Sequence, residues 1–80
     1  MKFQISKELD EILKKLDNNT KEIVFKKIDK ILKNPELGKP LKYTLSGLRS
    51  ERVGKYRLVY EIKKDTIVFH DFEHRKKVYK

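Results

Sequence analysis

The 80-residue chain contains no cysteine, only three glycines and two prolines, and no long apolar run. Without cysteine it forms neither a disulfide framework nor a thiolate metal site, which is typical of a protein from a reducing compartment. No apolar stretch approaches the roughly 20 residues that a membrane-spanning helix requires, and the first residues lack the pattern of a signal peptide. We therefore expect a cytoplasmic protein that does not associate with a membrane.

The composition is that of a folded chain in spite of its polarity. Charged residues make up 41% of the sequence, but hydrophobic residues make up 38% and include four tyrosines and four phenylalanines. This hydrophobic content argues against intrinsic disorder. Eighty residues are close to the lower limit for a chain that buries its own core. We expect one domain over residues 1–80, and additional burial from a partner chain would stabilise it.

The formal net charge of +9 is unevenly distributed. Residues 1–38 carry nine lysines and seven acidic residues, a net of +2, whereas residues 39–80 carry twelve basic and five acidic residues, a net of +7. All four arginines lie in the second segment. This asymmetry indicates a polyanionic partner, either nucleic acid or an acidic protein. The lysine-rich surface of a thermophilic protein is the alternative, and it explains the lysines better than the arginines.

Apolar periodicity predicts one strand, two helices and three further strands. Residues 2–6 alternate as an edge strand, and Ser6 is a typical N-cap that an apolar helical stripe follows. A second helix is predicted from about Thr20 to Lys33, with a buried stripe of Ile23, Val24, Ile28, Ile31 and Leu32. The proline of Asn34-Pro35 ends the second helix. The helices are joined by so short a turn that they should form an antiparallel hairpin. The remaining strands are predicted at residues 48–53, 56–62 and 66–72.

Two-residue turns, Gly54-Lys55 and Lys64-Asp65, connect these last three strands as hairpins. The sequence therefore predicts an α+β domain of order β-α-α-β-β-β, with the N-terminal strand at an edge. The antiparallel two-helix hairpin is expected to pack on one face of a small antiparallel sheet. Residues 35–43 form the intervening loop, in which Lys39 and Lys42 either contact a phosphate or add solubility.

The short turns also fix the register, and directly opposed residues share a face. Arg52 is then opposite Arg57, and Tyr60 is opposite Phe69. The predicted helix-facing set is Tyr56, Leu58, Tyr60, Ile62, Ile67 and Phe69. The predicted outer set is Arg52, Arg57, Val59, Glu61, Val68, His70 and Phe72. The same scheme places Glu51 and Asp71 beside Leu58 on the core face, which requires a β-bulge or a position at the sheet rim.

The outer face is predicted to bind an anion. Opposed arginines repel each other unless an anion lies between them, and guanidinium groups bind phosphate oxygens in a bidentate manner. Arg52 and an exposed Arg57 are thus candidate phosphate ligands with His70 nearby, and Phe72 is a candidate stacking surface for a base. In the alternative interpretation, ordinary surface pairs neutralise the arginines. The glutamates available for such pairs are Glu51, Glu61 and Glu73.

The C-terminal residues combine groups that suit phosphoryl chemistry. His74, Arg75 and Tyr79 lie within six positions of one another. Histidine titrates near neutral pH, arginine holds a phosphate, and tyrosine carries a proton or stacks on a base. On composition alone, a frayed basic C-terminus explains this segment equally well.

The segment GLRSERVGKYRLVYEI, followed by a short turn, an apolar strand and EHRKKVY, resembles the RelE/ParE superfamily of toxin–antitoxin toxins. The paired motif RVGxYRLVY and HRxxVY is typical of that superfamily, and the resemblance extends over essentially the whole chain. It implies a RelE-type mRNA interferase, which is a ribosome-dependent endoribonuclease that cuts messenger RNA in the ribosomal A site without metal or cofactor. The ribose 2′-hydroxyl attacks the adjacent phosphorus, and cationic side chains stabilise the developing charge.

The resemblance also implies residue roles. Arg57 matches the sheet arginine that holds the scissile phosphate in that family. Arg75 matches the C-terminal arginine that is important for activity. Tyr79 matches the tyrosine that stacks on or orients the cleaved nucleotide. Arg49 and Arg52 lie at shifted positions relative to the family's basic strand residues. The general base therefore stays open between His70 and His74, and the proximity of His74 to Arg75 and Tyr79 favours it.

The partners implied are an acidic RelB-like antitoxin in a hetero-oligomeric complex, a 70S-type ribosome and messenger RNA. A ParE-type toxin, which inhibits DNA gyrase, shares the fold and the hairpin motif but generally lacks the catalytic tail residues. Arg75, Tyr79 and the two histidines therefore favour the RelE branch. A third interpretation is a non-catalytic basic module that only binds RNA.

Overall fold

A computed structural model describes residues 2–41 and 47–74. Its elements are β1 (Lys2–Ile5), α1 (Lys7–Lys15), α2 (Asn18–Lys33), β2 (Lys39–Pro40), β3 (Leu48–Val53), β4 (Tyr56–Lys63) and β5 (Thr66–His74). The strands form one sheet of order β1-β5-β4-β3-β2, and the helices pack on one face of it. The predicted α+β architecture and element order are confirmed. In these two ranges, no helix combines the length and apolar character needed to cross a bilayer.

The sheet contains two features that the sequence pattern did not indicate. β1 occupies an edge, as predicted, but it pairs with β5 in the parallel direction, with Phe3 beside Ile67. The two-residue strand β2 lies within the predicted loop and pairs with β3, which places Lys39 beside Ser50. The sheet is therefore mixed, with an antiparallel centre formed by β3, β4 and β5.

Ser6 joins α1 to the sheet. Its hydroxyl oxygen accepts a hydrogen bond from the Leu9 backbone N–H at 3.0 Å, which confirms the predicted N-cap. The same hydroxyl donates to the His70 carbonyl at 2.7 Å. One side chain therefore satisfies a free N–H at the start of α1 and links that helix to β5.

The core lies between the helices and the sheet. Its buried apolar members are Leu9, Leu13, Val24, Ile28, Ile31, Val53, Leu58, Tyr60, Ile67, Phe69 and Phe72. Within α2, the positions of Val24, Ile28 and Ile31 follow the spacing of a single helical face. Ile23 was predicted in this buried stripe, but it lies about 100° around the helix from Val24 and is 49% exposed. That part of the prediction is wrong.

The predicted register holds until the middle of β5. Arg52 is opposite Arg57, Tyr60 is opposite Phe69, and Ile62 is opposite Ile67. A bulge then follows, because Val59 is opposite Asp71 and His70 is the additional residue. Leu58 is consequently opposite Phe72, and Arg57 is opposite Glu73.

The bulge makes the predicted location of Phe72 on the outer face wrong. One inserted residue reverses the faces of all later side chains in a strand. Phe72 therefore enters the core, where it is 4% exposed and stacks on Tyr56 with ring centroids 5.0 Å apart. The same reversal removes Asp71 from the core face. This arrangement is favoured because it buries the Phe72 ring and keeps the Asp71 carboxylate out of the core.

Glu51 does lie on the helix-facing side, as the register predicted. Its carboxylate is 3.3 Å from the Lys27 ammonium group of α2, and the two side chains are only 19% and 23% exposed. A partly buried charge requires such a partner. The ion pair therefore explains how an acidic residue is accommodated between α2 and the sheet.

Replacement of Phe72 by alanine tests its location in the core. We expect Phe72→Ala to lower the free energy of unfolding by about 3–5 kcal/mol, because a large buried side chain is lost and a cavity remains. Phe25→Ala is the matched control, since Phe25 is 49% exposed on α2, and its effect should stay below about 1 kcal/mol. Urea denaturation measures both values. Equal losses for the two variants would contradict the bulged register.

Candidate functional site

Arg57 lies at the centre of the candidate site. It extends from β4 on the outer face, between Arg52 of β3 and Glu73 of β5, which are its two directly opposed neighbours. The residue is only 8% exposed, so the prediction of an exposed sheet arginine is wrong. Arg57 lies on an inner strand, where the neighbouring strands on both sides limit its contact with solvent.

Acidic residues lie on the strand next to this arginine. Asp71 and Glu73 follow the bulge on the outer face of β5, and the Phe72 backbone N–H donates to the Asp71 Oδ1 at 2.9 Å. Burial is the main factor that raises the pKa of the Asp71 carboxyl, and Glu73 and Glu8 add to the rise. The outer face around Arg57 therefore carries mixed charge. Of the three glutamates that were candidates to neutralise the arginines, Glu73 is the one opposite Arg57.

His70 lies on the outer face, as predicted. Its Nε2 is 3.0 Å from Glu61 Oε1, and the Lys63 ammonium group is 3.9 Å from the same oxygen. A carboxylate in this position orients an imidazole ring for proton transfer. Glu61 is four residues from Arg57 along β4, a distance of about 13 Å. The bulge residue and the arginine pair thus occupy different parts of the face.

A second apolar cluster covers the centre of the outer face. It consists of Leu41 and Val59, which are 8% and 7% exposed, together with Leu48. Ser50 lies opposite Val59 and is fully buried. The sequence analysis did not identify this cluster because Leu41 lies in the predicted loop. The apolar side chains of Leu48 and Val59 on the predicted outer face were the available signal.

Tyr60 anchors the segment that precedes β2. Its hydroxyl donates to the Pro35 carbonyl at 2.7 Å and accepts from the Gly38 N–H at 2.9 Å. Burial raises the pKa of the Tyr60 phenol, so it stays protonated as a donor. A Cβ on Gly38 would lie 2.8 Å from the tyrosine ring and 2.9 Å from the Ser50 carbonyl oxygen. Glycine is therefore required by the close approach of this segment to the sheet.

Arg49 contacts the same segment from the helix-facing side. Its Nη1 donates to the Gly38 carbonyl at 2.7 Å and to the Glu36 carbonyl at 3.4 Å. These bonds hold the chain directly before Lys39, which is exposed in β2. Arg49 therefore has a structural contact of its own, and its predicted role in phosphate binding stays a prediction.

The structure separates some of the predicted site residues. Arg52, Arg57 and His70 share the outer face, but His74 is opposite Tyr56 on the other face, with ring centroids 5.7 Å apart. Lys42, Arg75 and Tyr79 lie outside the described residues. Within residues 2–41 and 47–74, no three histidine or acidic side chains are arranged to hold a metal ion. The predicted opposition of Arg52 and Arg57 is confirmed. The bulge changes which β5 residues share the outer face with them.

Known proteins are similar to this chain over most of its length. The model of the family described as "ParE toxin of type II toxin-antitoxin system, parDE" matches residues 4–79. A Methanocaldococcus jannaschii protein named "Putative toxin RelE4" is 31% identical over 84 aligned positions, which include 98% of this chain and 89% of that protein.

Chains in solved structures of toxin–antitoxin complexes have a similar fold. The toxin–antitoxin complex RelBE2 of Mycobacterium tuberculosis contains a chain with a TM-score of 0.82 and 29% identity, with 92% of this chain and 96% of that chain covered. The RelB–RelE antitoxin–toxin complex of Methanococcus jannaschii also contains a similar chain, with a TM-score of 0.73 and 26% identity. That alignment covers 95% of this chain and 94% of the other.

The raised pKa of Asp71 predicts a pH-dependent effect of its replacement. The folded protein binds the Asp71 proton more tightly than the unfolded chain does, so the ionised carboxyl destabilises the fold at neutral pH. We expect Asp71→Asn to raise the melting temperature at pH 7. This gain should shrink as the pH falls through the folded-state pKa towards the unfolded value. Asp65→Asn, in an exposed turn, is the control. A gain that is independent of pH would contradict the assignment.

Proposed function

The chain belongs to the ParE toxin family of type II toxin–antitoxin systems, and from this premise we propose that it cleaves messenger RNA on the ribosome. The opposition of Arg52 and Arg57 carries the proposal, because two arginines at directly opposed positions of neighbouring strands are placed to bind one phosphate together. The likeness to proteins named RelE, at 31%, 29% and 26% identity, supports the same branch of the superfamily.

The reaction proposed is a metal-free transesterification. The ribose 2′-oxygen attacks the adjacent phosphorus, a bond forms between them, and the bond from phosphorus to the 5′-oxygen breaks. A base takes the proton of the 2′-hydroxyl, and an acid protonates the leaving 5′-oxygen. Guanidinium groups stabilise the charge that develops on the non-bridging oxygens, and this electrostatic term is usually the largest in catalysis.

Arg57 is the proposed ligand of the scissile phosphate. Its low exposure strengthens its interaction with an anion, because a charge is screened less where water is excluded. Glu73 lies opposite Arg57, so an incoming phosphate approaches the guanidinium group close to a carboxylate. His70, which Glu61 orients in another part of the outer face, and His74, which lies on the other face, are both proposed as candidate proton-transfer groups. A general base has to come within hydrogen-bond reach of the 2′-hydroxyl, so either role requires the bound strand to extend from Arg57 towards that histidine. Arg75 and Tyr79 are proposed to complete the site from the C-terminal segment.

A RelB-like antitoxin is the proposed inhibitor. The excess of positive charge over residues 39–80 suits an acidic partner chain, and the similar structures named above are toxin–antitoxin complexes. Burial against such a chain would also stabilise a domain of this size. Action on the ribosome places the protein in the cytoplasm.

Inhibition of DNA gyrase is the second candidate function. Glu73 opposite Arg57 and the apolar cluster of Leu41, Leu48 and Val59 reduce the positive character of the outer face. Such a surface suits contact with a protein target better than contact with an RNA backbone. The ParE description of the matching family points in the same direction.

Primer extension on a message during cell-free translation distinguishes these functions. We expect the wild-type protein to produce cuts inside codons only when ribosomes translate the message. Arg57→Gln and Arg75→Ala should reduce cleavage by about 100-fold or more, because each removes a cation from the transition state. Lys26→Ala, on the exposed surface of α2, is the matched charge control and should cut like the wild type.

Thermal melting of Arg57→Gln shows whether its loss of activity reflects unfolding. An intact message in a translating extract, with all proteins folded, would contradict the proposed function. A DNA supercoiling assay with gyrase would then test the second candidate.

A further inference from the structure

The end of the sheet at the β3–β4 turn presents an accessible aromatic ring. Tyr56, the first residue of β4, is 42% exposed. Phe72 stacks against it from within the core, with an interplanar angle of 22°, and the His74 ring meets it edge-on at 75°. These two contacts fix the orientation of the tyrosine ring while leaving much of it open to solvent.

Basic residues precede Tyr56 in the β3–β4 turn. The Arg52 guanidinium folds back along the turn, and its Nε donates to the Gly54 carbonyl at 3.4 Å. Lys55 is exposed within the turn itself, and no acidic residue occurs from Arg52 to Arg57. We name the set Arg52, Lys55, Tyr56 and His74 the turn surface.

An oriented, accessible aromatic ring with basic residues beside it in the turn can bind unpaired nucleotides. Unpaired nucleobases stack on such rings, and the adjacent phosphates bind the cations. Base-paired nucleic acid keeps its bases stacked within the helix, so it cannot use the ring. An acidic peptide would use the charges but does not require an oriented aromatic plane. The combination therefore favours a single-stranded nucleic acid.

We propose that the turn surface binds single-stranded RNA, with one unpaired base stacked on Tyr56 and neighbouring phosphates held by Arg52 and Lys55. The choice of RNA rests on the proposed function. Phe72, which was expected to stack on a base itself, instead supports the ring that does so. Because Tyr56 and Arg57 are consecutive but point to opposite faces, the RNA strand passes around the end of the sheet between them.

The test compares two oligonucleotides bound to the isolated protein. One is a short single-stranded RNA that contains 2-aminopurine, whose fluorescence falls when it stacks, and the other is an abasic strand of the same length that retains the phosphates. Tyr56→Leu should weaken binding of the RNA by roughly 5- to 150-fold, the range expected for loss of one stacked base. Its affinity for the abasic strand should stay within about twofold of the wild type.

Three further variants define the mechanism. Tyr56→Phe retains the ring and should restore RNA binding and fluorescence quenching. Arg52→Gln should weaken both strands, and its binding should depend less steeply on salt than that of the wild type. Phe25→Leu replaces an equally exposed aromatic residue on α2 and should change neither affinity.

The proposal is overturned if Tyr56→Leu binds the RNA as tightly as the wild type. It is also overturned if that variant loses both strands equally, or if the wild type binds neither strand. These outcomes are independent of message cleavage. If the wild-type protein binds the RNA more tightly than the abasic strand but does not cleave messages, the proposed reaction is contradicted and the turn-surface proposal still stands.

Discussion

The one-residue bulge at His70 determines which chemistry each face of the sheet presents. A strand without it would direct Asp71 against Leu58 in the core and expose Phe72. With it, the aromatic ring is buried, Asp71 is opposite Val59 on the outer face, and Glu73 is opposite Arg57. The same bulge leaves the His70 carbonyl as the acceptor of the Ser6 hydroxyl at the start of α1. Core packing and the charge of the candidate site therefore depend on the same backbone irregularity.

The sequence predicted the elements and most of the register, because two-residue turns and alternating apolar residues are local signals. It also indicated that Glu51 and Asp71 conflicted with a regular sheet. The two conflicts were resolved differently, by an ion pair with Lys27 for Glu51 and by the bulge for Asp71. Local patterns do not distinguish these solutions, because each depends on contacts between residues distant in sequence. The burial of Arg57 and the anchoring of the loop by Tyr60 were unpredicted for the same reason.

The two faces of the sheet have different proposed binding roles at the β3–β4 end. On the outer face Arg57 lies opposite both Arg52 and Glu73, so under the proposed function an RNA phosphate binds there close to a carboxylate. The turn surface contains no acidic residue, and Tyr56 is already accessible. In this account, initial capture of a single strand by stacking precedes engagement of the phosphate by Arg57. Repulsion by the nearby Glu73 carboxylate would then restrict reaction to RNA that is held in place by other contacts, as it is on a ribosome.

Pulse labelling of living cells after induction of the protein tests the central claim most directly. Incorporation of a labelled amino acid and of labelled thymidine is followed in parallel over the first minutes. If the protein cleaves messages on ribosomes, amino-acid incorporation falls first while DNA synthesis continues. An early fall in thymidine incorporation with continued protein synthesis would contradict this account and identify DNA metabolism as the target.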